Sequence, residues 1–75
     1  MYVKPRAKAI KQARILNRMS QVELAKLVGL SYSMISRIEA GERGCSPKTA
    51  GKISDALAMP MNALFEIYNN DEEVA

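Results

Sequence analysis

Histidine and tryptophan are missing from this chain, cysteine occurs once, and aromatic residues make up only 5% of it. Each scarcity excludes something. Without histidine the commonest general acid–base group is gone. One cysteine cannot staple the fold with an internal disulfide. No cluster of cysteine, histidine and carboxylate has the spacing of a zinc site. The four glycines and three prolines stand singly, as punctuation, so there is no glycine-rich phosphate loop. No apolar stretch approaches the length of a membrane span. The start, Met1-Tyr2-Val3-Lys4-Pro5-Arg6, is not followed by the apolar run of a signal peptide. These absences argue against an enzyme and against a membrane partner. They predict no catalytic residues, no metal, no cofactor and a cytoplasmic location.

What is present is enough for one small domain: 75 residues, 48% of them hydrophobic. A core of that size is modest, so stability must come from close packing or from a partner subunit. The net charge is +3, but it is unevenly spread. All eleven lysines and arginines lie at or before Lys52, against Glu23, Glu39 and Glu42, a balance of +8. From Ile53 onward there are five acids and no base, a balance of −5. A polyanion would be drawn to the first part and repelled by the second.

Periodicity and punctuation predict an all-α bundle of five helices, with no segment patterned as a strand. The first spans 5–17, with Pro5 in its first turn and Ile10, Ala13 and Leu16 on its apolar face. The second spans 21–28: Ser20 and Glu23 have the spacing of a capping box, and Gly29 suits a left-handed C-terminal cap. The third spans 32–40, capped by Ser31 and closed by Gly41. Ser46 and Pro47 open a fourth, which carries Ile53, Ala56 and Leu57 to about residue 58. Pro60 interrupts, and a last helix spans 61–68, packing Met61, Leu64 and Phe65. The domain is therefore set at 1–68, with 69–75 as an acidic, frayed tail.

The segment from Gln21 to Gly41 is the informative one. Ala25 is small where the second helix passes the third, and Leu30 is apolar because the turn folds inward. With Ile35 and Ile38 facing the core, a rotation of about 100° per residue puts Ser33, Ser36, Arg37 and Ala40 on the outer side. Tyr32 stands at the exposed start. That outer surface is small, polar and basic, as a helix entering a groove about 12 Å wide requires. A protein-binding helix would show a larger apolar patch.

These residues resemble the Cro/C1-type (XRE-like) helix-turn-helix regulators over most of the chain. The matching elements are Ile10 with Arg14, Ser20-Gln21, Glu23-Leu24-Ala25, Gly29-Leu30-Ser31, Ile35-Ser36, Ile38-Glu39 and Gly41. Further matches are Arg43, Ser46 with Thr49, Lys52-Ile53, Ala56-Leu57 and Leu64-Phe65. Cys45, Ala50, Gly51 and Pro60 depart from the pattern. The resemblance implies a compact five-helix, lambda-repressor-like DNA-binding fold with the helix-turn-helix in the second and third helices. It implies a transcriptional regulator, a repressor by preference, binding a palindromic operator in double-stranded DNA as a homodimer. Alternatives are the antitoxin of a toxin–antitoxin pair, or a protein-interaction module.

Base contacts are expected from Tyr32, Ser33, Ser36 and Arg37. Arg37 is the first choice, since a guanidinium can donate twice to one guanine, although a phosphate contact is the alternative. Tyr32 could touch a thymine methyl or a phosphate, or simply cover the turn. Phosphate contacts are expected from Gln21, Ser31, Arg43 and Lys48. Glu39 lies about 70° from the inward face of its helix and wants a cation. Arg14 is the matching family position, so an Arg14–Glu39 ion pair is expected as a structural feature. Self-association is expected through the last helix, by Met61, Leu64, Ile67 and Tyr68. Cys45 precedes a helix N-terminus that would favour a thiolate, but a lone loop cysteine is more often incidental.

Overall fold

In a computed structural model, which describes residues 2–68, three serines set where the central helices begin. The Ser20 hydroxyl accepts from the Glu23 N–H at 3.0 Å, and the Glu23 carboxylate accepts from the Ser20 N–H at 2.9 Å. This reciprocal cap opens α2 (Gln21–Val28), which Gly29 closes at φ 71°. Ser31 accepts from the Met34 N–H and opens α3 (Tyr32–Glu39). Ser46 accepts from the Thr49 N–H, with Pro47 as the first residue of α4 (Pro47–Leu57). α1 (Ala7–Leu16) precedes them, and α5 (Met61–Leu64) is a single turn.

The chain is not all-α. Tyr2–Pro5 forms β1 and Phe65–Tyr68 forms β2, paired antiparallel with Tyr2 opposite Tyr68 and Pro5 opposite Phe65. The last helix therefore stops at Leu64 rather than at 68, and Pro5 ends a strand rather than opening a helix. Beyond the ladder, the Tyr2 and Tyr68 rings stack with centroids 4.7 Å apart. The Tyr68 hydroxyl donates to Glu66, and Arg6 lies 3.7 Å from the same carboxylate. The Tyr68 hydrogen bond, with help from Lys4 and Arg6, holds the Glu66 carboxyl below its ordinary range. The expected 69–75 tail lies outside the described residues.

The core gathers Ile10, Leu24, Ile35, Ile38, Ile53, Leu57, Leu64 and Phe65, all fully buried. Leu16, expected on the inward face of α1, is instead 82% exposed, and Arg14 takes the buried position. Leu64 cannot belong to an interface with another chain as expected, because it is enclosed within its own domain.

Candidate nucleic-acid interface

α3 presents two different sides. Ile35, Ile38 and Glu39 are buried, while Tyr32, Ser33, Arg37 and Ala40 are exposed and Ser36 is half-buried. Apart from Ser36 the outward row is thus exposed, and no bulky apolar side chain beyond the Tyr32 ring stands on it. The helix is fixed from behind by Glu39. Its carboxylate accepts from Arg14 twice, Nε to Oε2 at 2.7 Å and Nη2 to Oε1 at 3.0 Å. The geometry is bidentate and buried, and it holds the Arg14 pKa above its ordinary value against the cost of desolvation. Arg14 Nη1 also donates to the Met19 carbonyl at 2.7 Å, which ties the pair to the chain before α2.

Gln21 has a role that spacing did not reveal. Its Nε2 donates to Glu39 Oε1 at 3.1 Å, so the side chain lies against the ion pair instead of standing free at the start of α2. One of its two amide hydrogens remains for a phosphate. A shallow notch of about 210 Å³ brings Gln21 together with Ser36, Glu39, Ala40 and Lys11. Lys11 was not among the expected contacts. Its position three residues before Arg14, on an adjacent stripe of α1, was the available signal.

Ser31 is exposed, but its hydroxyl already accepts a capping bond. Arg43 and Lys48 are both exposed. Arg43 lies in the loop after α3 and faces an open cleft of about 600 Å³ shared with Tyr2, Lys4, Glu42 and Tyr68. Lys4 was also unforeseen, because its strand was read as the lead into a helix. Cys45 is half-buried and bridges Val3 of β1. Burial pushes its thiol pKa up, against the thiolate that a helix N-terminus would favour and in the direction of an unreactive thiol. Among the described residues no cluster of three or more metal-ligating side chains occurs, and no helix is long and apolar enough to cross a membrane.

Two short helices joined by a glycine turn, the second braced inside and bare outside, define a DNA-reading helix-turn-helix module. The chain belongs to the HTH_3 helix-turn-helix family of DNA-binding transcriptional regulators, whose sequence model matches residues 10–64. It is 36% identical over 63 residues to an uncharacterised HTH-type transcriptional regulator of Methanocaldococcus jannaschii, covering 84% of this chain and 94% of that protein. Its structure is similar to the restriction-modification controller protein C.AhdI from Aeromonas hydrophila, with a TM-score of 0.74 and 30% identity, covering 79% of this chain and 89% of that one. It is also similar to part of hydroxypropylphosphonic acid epoxidase from S. wedmorenis, with a TM-score of 0.74 and 28% identity, covering 80% of this chain but 32% of the enzyme.

Proposed function

We propose that the protein binds double-stranded DNA sequence-specifically as a cytoplasmic repressor, placing α3 in the major groove of a palindromic operator as a homodimer. One observation carries this reading: the exposed, small and basic side of α3, held rigidly from behind by the buried Arg14–Glu39 pair. Rigid placement matters because base readout needs donors set to within a fraction of an ångström. Arg37, Ser33, Ser36 and Tyr32 read bases. Gln21, Ser31, Arg43 and Lys48 hold phosphates and fix register. The likeness to a restriction-modification controller supports a regulatory role. The epoxidase matches over too little of its length to suggest catalysis.

Selection from random duplexes tests the reading, and a consensus with two-fold symmetry is expected. Arg37→Ala should cost about 1–3 kcal/mol on the selected site and relax preference at one position. Equal affinity and preference in wild type and variant would overturn the assignment.

A further inference from the structure

Two strands alone make a marginal sheet in water, and among the described residues this one has an edge left open. β1 is flanked on both sides, by β2 and by the bridge from Val3 to Cys45. β2 is flanked by β1 alone among the described residues. The Arg6 N–H donates to the Leu64 carbonyl at 2.8 Å. Bonded pairs recur at every second residue of an antiparallel ladder, so the register makes Lys4/Glu66 and Tyr2/Tyr68 the bonded pairs. Phe65 and Ile67 therefore turn their backbone groups to the outer edge. The Phe65 N–H is already given to the Met61 carbonyl. The Ile67 N–H and C=O have no backbone partner among the described residues. Ile67 also sits across from Val3 on the core-facing side, yet it is 44% exposed where Val3 is 6%.

We propose that this edge is a self-association surface: two copies pair β2 with β2, antiparallel about a two-fold axis at Ile67, into one four-stranded sheet. The occupant is a second copy because charge and open bonds select that register. An axis at Glu66 would set two carboxylates opposite each other, which is destabilising, and would need the Phe65 N–H that α5 already uses. An axis at Ile67 lets each Ile67 N–H donate to the partner's Ile67 carbonyl. Each Glu66 then faces the partner's Tyr68, and the two isoleucine side chains meet. The inference rests on the reading of a dimer on a symmetric operator, and it moves the contact from the last helix to a strand edge.

Sedimentation equilibrium without DNA tests it. Ile67→Lys, a charge typical of edges that refuse pairing, should weaken self-association about tenfold or more. Ile67→Val should leave it nearly unchanged, and both variants should keep the wild-type far-UV spectrum. In a Cys45→Ser background, Ile67→Cys should form a covalent dimer with diamide, because residues paired across the axis lie about 5.5 Å apart at Cα. A chain that is monomeric at every concentration would overturn the proposal. So would self-association indifferent to Ile67→Lys, or Ile67→Cys that stays uncrosslinked. A symmetric DNA consensus with no cross-link would leave the operator reading standing and remove the strand pairing. A cross-linked dimer blind to duplex sequence would do the reverse.

Discussion

Glu39 joins three helices with one carboxylate, taking Arg14 from α1 and Gln21 from α2 while sitting in the last turn of α3. Its side chain is 3% exposed, so both charges of the pair have lost most of their water. Removing one partner strands the other. Glu39→Ala should cost about 3–5 kcal/mol, read as a lower midpoint in urea unfolding. Arg14→Met with Glu39→Met should cost less than either single change, because no charge is then left buried alone. The outward and inward sides of α3 and the need for a cation beside Glu39 were legible from rotation along the helix. Leu16 was not, and the reason is geometric. Steps of three residues fall about 60° short of a full turn, so Ile10, Ala13 and Leu16 drift about 120° around the helix. The inward row runs instead through Ile10, Ala13 and Arg14. Apolar counting passes over it because an arginine occupies part of the core face.

The helix starts were readable because Ser20, Ser31 and Ser46 are local signals whose partners lie three residues on. The sheet was not, because its halves lie at opposite ends of the described chain and each is four residues long. Phe65-Glu66-Ile67-Tyr68 does alternate, but following Met61 to Leu64 it reads as one more turn of helix. Two tests belong to the elements. α4 is closed by Ala58, just past its last residue Leu57, and the φ of 55° there is the left-handed region that favours glycine. Ala58→Gly should therefore raise stability by about 1 kcal/mol, or about 4–8 °C in Tm. α2 should weaken in acid. Bonds from Ser20 hold the Glu23 carboxyl below its ordinary value, so the stabilisation is complete above the unfolded-state pKa and is lost as pH falls through the folded one. Glu23→Gln should flatten the fall in Tm below about pH 4, the usual carboxylate range.

At the scale of the molecule, charge and topology divide the chain differently. The basic excess up to Lys52 covers β1, α1 to α3, the loop after them and the first half of α4, whereas the acidic excess begins in the second half of α4. Binding to a selected duplex should weaken linearly with the logarithm of salt concentration. Lys48→Ala should lower that slope by about 1 without altering the consensus. An unchanged slope would remove Lys48 from the phosphate contacts. Sequence showed the charge division but not that the two chain regions meet again at the sheet. That meeting has a consequence for how the domain is made. Among the described elements β1 is synthesised before all the others, yet its ladder partner exists only after every residue up to Tyr68 has been added. Until then Val3 has no complete β2 to lie against, and Phe65, a large component of the core, is itself among the last of the core residues to be made. Pairing of β1 with β2 is thus the last contact among the described elements that chain order permits, and a nascent chain halted before Phe65 would carry its helix-turn-helix on an unfinished core.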